Sequence, residues 1–150
     1  MISVFVDSNV VIYTLDRLSP AKNAMSKAWL NRLATAGQLT MSVQVLNEVY
    51  ASLTLRQGLH PVRDGVRALL DPLVRFADAP LDVQVMRQAW ALQDRYQLRI
   101  WDALLMASAN VAGCSHFLSE DLNDGQRYGE VSTINPFRHA PEDVLGPALP

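Results

Sequence analysis

Four acidic side chains stand where a carboxylate needs a reason. Asp7 closes the apolar run Ile2–Val6. Glu48 sits inside the apolar pattern Val45-Leu46-Asn47-Glu48-Val49. Asp102 lies between Trp101 and Ala103 at the start of the most apolar stretch of the chain. Asp121 follows His116-Phe117-Leu118 through Ser119-Glu120, and Asp124 comes shortly after it. Each has a plain structural explanation when taken alone. Asp7, with Ser8 and Asn9, suits a helix cap. Glu48 suits a solvated outer face, and Asp102 suits the positive end of a helix dipole. Asp121 and Asp124 suit the turn-rich run Asp-Leu-Asn-Asp-Gly. Taken jointly these explanations weaken, because the acids at strand ends and helix starts face one edge of a parallel sheet. Crowded carboxylates repel unless they are protonated or bridged by a cation. A hard, oxygen-seeking ion, Mg²⁺ or Mn²⁺, removes that penalty. Asp16, Asp64, Asp78, Asp94 and Glu142 fall on polar faces or turns, where charge is usual.

The elements that must position these acids can be read in order. Ile2–Val6 is a short β-branched run bounded by polar residues, as in a strand buried on both faces. Residues 10–16 read as a short helix. Ser19-Pro20 opens a longer one to about residue 36, with Ser19 as cap and Gly37 as stop. Leu39–Met41 is a second strand, and Ser42 caps a helix over 43–57 that Gly58 closes. Its buried side is expected to hold Val45, Leu46, Val49, Leu53 and Leu55. Pro61 starts a further helix that Asp71-Pro72 ends. Leu73–Ala77 alternates as an edge strand would. Asp82 caps a helix over 83–96 whose apolar positions include Val83, Met86, Ala89, Trp90 and Leu92. Trp101–Val111 is a buried helix, and Ser115–Leu118 and Val131–Ile134 are the last two strands. Strands alternating with helices predict a three-layer α/β/α sandwich around a mostly parallel sheet of about five strands.

The bulk numbers agree with one globular domain: 150 residues, 49% hydrophobic and 19% charged. The proposed boundaries are residues 1–137 for the domain and 138–150 for a proline-rich tail within the same unit. Thirteen basic and fifteen acidic side chains leave a formal charge of −2, which excludes a polycation that coats nucleic acid but not a local basic groove. Lys22 and Lys27 are the only lysines, the other cations being arginines. The single Cys114 excludes an internal disulfide and a multi-cysteine metal site. Neither a basic leader nor an apolar stretch of membrane-spanning length is present, so a cytoplasmic location is expected.

Four segments together resemble the PIN domain, the nuclease fold of VapC-type toxins from toxin–antitoxin modules. They are Val4-Phe-Val-Asp7-Ser-Asn9-Val, Ser42-Val-Gln-Val-Leu-Asn-Glu48-Val, Ile100-Trp-Asp102-Ala-Leu-Leu-Met-Ala and Phe117-Leu-Ser119-Glu-Asp121-Leu-Asn-Asp124-Gly. The resemblance implies a Mg²⁺- or Mn²⁺-dependent endoribonuclease with Asp7, Glu48, Asp102 and Asp121 as catalytic acids. It implies metal ligation by Asp7, Asp102 and Asp121, with Asp124 auxiliary, and support of these carboxylates by Asn9 and Ser119. Glu48 is expected to coordinate or to orient the attacking water. Ser8 stands where the family often has Thr, and Glu120 adds an acid without a role. Arg56, Arg99 and Arg127 are RNA-binding candidates by proximity to the motifs. The resemblance also implies a small antitoxin partner and a homodimer, with Trp29 and Tyr50 as contact or core residues.

Two other acid-based α/β families fit less well. A haloacid-dehalogenase-like phosphatase needs an Asp where Asn9 stands and a later Lys. A response-regulator receiver also needs a late Lys, and none follows Lys27. A nuclease outside a toxin–antitoxin system, or a non-catalytic module that binds metal or RNA, remains the alternative.

Overall fold

β1 (Val4–Val6) is fully buried, and the rest of the sheet is laid out from it. The computed structural model describes residues 2–55 and 62–150. β2 (Leu39–Thr40) pairs parallel on one side of β1, and β3 (His116–Leu118) pairs parallel on the other. β5 (Val131–Ile134) continues parallel beside β3, and β4 (Arg127–Tyr128) closes the edge antiparallel to β5. The sheet order is therefore β2-β1-β3-β5-β4. Across the central pair Phe5 and Phe117 stack with ring centroids 5.1 Å apart.

Helices cover both faces of this sheet in a three-layer α/β/α arrangement. α1 (Ser8–Tyr13) packs against both α2 (Pro20–Thr35) and α3 (Val43–Leu55), and α4 (Val62–Leu70) packs on α3. α5 (Val83–Tyr96) and α6 (Ile100–Val111) form a closely packed pair with their own small cluster of Val85, Ala89, Ala103 and Ala107. Caps follow sequence chemistry in part. The Asp82 carboxylate accepts from the Val85 amide at 3.0 Å, as expected of a cap. Pro20 opens α2, although Ser19 makes no side-chain cap bond. The Ser42 hydroxyl likewise fails to cap α3 and is buried without a partner. Gly58 and Pro61 lie outside the described residues.

The main departure is at Leu73–Ala77, expected as an edge strand. Asp71–Phe76 is instead a 3₁₀ helix running directly on from α4. Pro72 fixes φ and supplies no amide to a ladder, and Val74 and Arg75 are exposed rather than alternately buried. The fifth strand is β4, a two-residue piece between Gly125 and Gly129, too short for any periodicity to announce it. Single side chains also differ. Leu55 is 79% exposed, and Val83 and Trp90 face solvent while Val85 and Ala89 face inward. Trp29 is wholly buried, so it is a core residue and not a contact residue. Tyr50 is partly buried against the core.

The C-terminal segment is tied down through that tryptophan. The indole of Trp29 donates to the carbonyls of Pro136 and His139 at 3.1 and 3.0 Å, and α7 (Pro141–Leu145) packs on α2. Among the described residues no helix is long and apolar enough to cross a membrane. Trp29→Phe keeps much of the ring but orphans two carbonyls, and is expected to cost about 1–3 kcal/mol of stability in urea unfolding. Trp29→Ala is expected to cost about 3–5 kcal/mol by the same measurement.

Candidate active site

The carboxyl ends of β1 and β3 mark the point where the sheet order reverses, with one crossover leaving toward β2 and the chain returning to β3. Ligands of open α/β sheets bind in the crevice there. Parallel register puts Val6 opposite Leu118, so the next residues on each strand, Asp7 and Ser119, emerge side by side. The Asp7 amide donates to the Leu118 carbonyl at 3.0 Å, and the Ser119 hydroxyl donates to Asp7 Oδ2 at 2.8 Å. The Asp7 carboxylate also accepts from the Ser8 amide at 2.7 Å and from Asn9 Nδ2 at 3.2 Å. Asp7 therefore caps α1 and belongs to the acid cluster at once, because the cap uses Oδ1 and leaves Oδ2 toward Ser119.

Asn9 spreads the same net outward, its Nδ2 lying 3.1 Å from both Ser119 Oγ and Asp121 Oδ2. Asn9 and Ser119 thus both donate to carboxylates of the cluster. Glu48 comes from α3 and is held at both oxygens. Ser8 Oγ donates to Oε2 at 2.9 Å and Gln44 Nε2 to Oε1 at 2.8 Å. Gln44 also donates to the Trp101 carbonyl at 3.1 Å, tying α3 to the first turn of α6, where Asp102 sits. The sequence reading missed Gln44. Its signal was available: a polar residue one helical turn before Glu48 in a buried pattern.

These side chains line one cavity of about 590 Å³. Asp7, Glu48, Asp102 and Asp121 form its acidic part, and Trp101, Leu81 and Leu104 contribute apolar wall. Burial pushes the Asp7 carboxyl up from 3.8 to about 7; the hydrogen bonds from Ser119 and Ser8 oppose this, and the charges of Glu48 and Asp102 add to it. Burial also raises the Asp102 carboxyl, with Arg99 opposing and with Asp121 and Glu48 pushing the same way. The four acids feel one another.

Two candidates are not brought to this cavity. Asp124 accepts from the Asn135 amide at 2.8 Å and pairs with His139 at 2.7 Å, so both its oxygens are committed away from the other acids. Burial works to raise its pKa, but these two hydrogen bonds outweigh it and hold the carboxyl below its usual value. Asp124 is therefore not among the acids that line the cavity. Arg127, on β4, bonds the Gly129 carbonyl and the Glu130 carboxylate. Arg56 lies outside the described residues. Arg99 does line the cavity, 3.6 Å from Asp102 and largely exposed. Glu120 is accounted for by Lys22 at 2.8 Å and the Tyr13 hydroxyl at 2.7 Å.

As placed, no three His, Cys, Asp or Glu side chains among the described residues form a ready-made metal cage. The donor chemistry nonetheless fits a hard cation. The cluster is all oxygen, neighbouring carboxylates help to raise Asp7 and Asp102, and Asn9 Oδ1 is buried without a partner. Asp7, Asp102 and Asp121 are the side chains that would hold it.

The PIN domain profile matches residues 4–128, the span that contains all four acids. The chain belongs to the PIN domain family. Among solved structures this PIN domain is similar to a toxin–antitoxin complex from Klebsiella pneumoniae, with 18% identity over 89% of this chain and 98% of that one, at a TM-score of 0.63. VapBC2 from Rickettsia felis, solved with a DNA fragment from its promoter, gives 13% identity, 89% and 97% coverage and a TM-score of 0.64. VapC20 from Mycobacterium tuberculosis, a toxin that cleaves the sarcin–ricin loop, gives 21%, 87% and 99%, and 0.57. At these identities the likeness is one of fold. No curated protein gives a significant match.

The position of Asp7 has a consequence for stability. Its folded pKa of about 7 exceeds the ordinary 3.8, so the folded state holds its proton longer and loses stability as pH rises between those values. The gap corresponds to about 4 kcal/mol. Asp7→Asn is expected to raise the melting temperature of the metal-free protein at pH 8, with the gain shrinking toward pH 5 as wild-type Asp7 becomes neutral. The Asn9 amide can turn to offer its partnerless oxygen to the new NH₂ group. Thermal unfolding in EDTA across that range checks both the sign and the trend.

Proposed function

We propose that the chain is an endoribonuclease that hydrolyses RNA phosphodiesters with a divalent cation, Mg²⁺ or Mn²⁺. One observation carries the reading: four carboxylates from four separate segments meet in one cavity and, among the described residues, have no matching set of cations. The bound cation supplies charge neutralisation at the phosphate and a more acidic water. Asp7, Asp102 and Asp121 hold it, and Asp124 does not take part. Asp7 is the anchor, because the hydrogen bonds from Ser8, Ser119 and Asn9 fix both its oxygens.

Glu48 accepts the proton of the attacking water, and Gln44 and Ser8 fix the direction of its carboxylate. Water adds to phosphorus and the bond to the departing oxygen breaks, leaving one fragment with a phosphate monoester and the other with a hydroxyl. Arg99, loosely paired with Asp102, is free to turn toward the phosphate that the acids would repel.

The structural neighbours described as toxin–antitoxin proteins support a further step: this chain is the toxin of such a pair, with a small antitoxin and a second copy as partners. It is a domain over residues 1–137 with the tail as part of the same unit, and it acts in the cytoplasm.

Cleavage of a structured RNA by the purified protein in Mn²⁺ is the direct test. Asp102→Asn should abolish cleavage and EDTA should stop it; equal activity of the variant, or cleavage that survives EDTA, would sink the proposal. Absent Mn²⁺ binding in calorimetry would favour purely structural acids. Gln44→Leu leaves Glu48 unsteered and is expected to lower cleavage about 10–100-fold, as loss of hydrogen bonds behind a metal site does. Unchanged melting would separate that effect from misfolding.

A further inference from the structure

The acids account for a phosphate and its metal, but not for the rest of the cavity. Trp101 is 60% exposed and Leu81 is 49% exposed, and both line the same cavity as Asp7 and Asp121. An indole left in water on the residue next to Asp102 forgoes burial that the core offers elsewhere, as Trp29 shows. Its backbone is not loose. The Trp101 carbonyl is held by Gln44, the side chain that also holds Glu48, so the backbone that carries the ring is tied to the acids. Arg99, two residues earlier, is the cation of that lining, and its guanidinium is largely exposed.

From this arrangement we infer that Trp101 is the base-binding residue of the site, stacking one unpaired nucleobase next to the phosphate held by Arg99. The inference rests on the ribonuclease reading and assigns one residue to it, a ring that needs the open face of a base. A planar aromatic face and a nearby guanidinium match a base and its phosphate. In an A-form duplex the bases are stacked and paired, and an indole cannot reach their faces. The volume of about 590 Å³ lies within the roughly 300–1,000 Å³ of ordinary ligand pockets. Stacking tolerates every base, so Trp101 selects unpaired geometry rather than sequence.

The test has two independent arms. In Mn²⁺-dependent cleavage of a hairpin RNA, Trp101→Leu is expected to lower kcat/KM about tenfold, chiefly through KM, while Trp101→Phe retains most of it. In the second arm, the Asp102→Asn protein carrying Trp90→Phe is titrated in Mg²⁺ with RNA while tryptophan emission is followed. Trp29 is then the buried reference. A short single strand should quench the Trp101 emission, and a long blunt duplex should not.

Equal cleavage by wild type, Trp101→Phe and Trp101→Leu would overturn the inference and leave the ribonuclease reading standing. Equal quenching by strand and duplex, or none by either, would also overturn it. If the wild type cleaves no RNA, the ribonuclease reading falls and the emission arm alone decides whether the ring binds bases. A Trp101→Glu protein of half the wild-type mass in light scattering, beside a Trp101→Leu protein that cleaves normally, would assign the ring to a protein contact and reject base binding.

Discussion

The parallel pairing of β1 with β3 governs everything at the active end of this molecule. It sets Val6 beside Leu118, and the residue after each strand therefore emerges against its neighbour. A carboxylate delivered there is nearly cut off from water, as the 4% exposure of Asp7 records. Such a group survives only with hydrogen-bond donors around it. Ser8, Asn9 and Ser119 are those donors. The same donors reach Glu48 and Asp121, so satisfying one buried acid also fixes the positions of two others.

The acids near this sheet edge sort into two kinds by their neighbours. Glu120 is matched by Lys22 and Asp124 by His139, and these pairs brace surface segments around α2 and the C-terminal turn. Among the described residues Asp7, Glu48 and Asp121 have no cation of their own, and Asp102 has only Arg99, at 3.6 Å. The unmatched set is the set lining the cavity. Partners thus separate the acids of the cavity from the others better than position along the chain does, which is why Asp124, so close to Asp121 in sequence, falls on the other side of the line.

This imbalance sets stability against function. Asp7 is raised to about 7 because burial disfavours its charge, with Glu48 and Asp102 adding repulsion. A cluster arranged to receive a cation is strained without one. Gln44 shows the corresponding rigidity: one buried amide steers Glu48 and pins the backbone of Trp101, so the acidic floor and the aromatic wall share a single support. The PIN domain is a scaffold that fixes the acids, whereas the exposed side chains at the cavity mouth are where this chain can differ from its relatives in what it accepts.

The order of elements, the three-layer class and the acids Asp7, Glu48, Asp102 and Asp121 were legible in the sequence by itself. Short β-branched runs ending in polar residues mark buried parallel strands, and a carboxylate inside an apolar pattern is costly enough to stand out. Leu73–Ala77 misled because alternation over five residues outweighed Pro72, while the real edge strand, Arg127–Tyr128, is too short to carry a period. Only the tertiary structure decided which acids keep company. Asp124 turns to His139, Arg127 to Glu130 and Glu120 to Lys22, pairings set by long-range contacts or by a local turn. Sequence determines a side chain's chemistry and the burial of its own segment. Whether its charge is answered depends on groups that folding brings from elsewhere, and for Asp7 residue 119 supplies a donor while residue 48 adds a like charge.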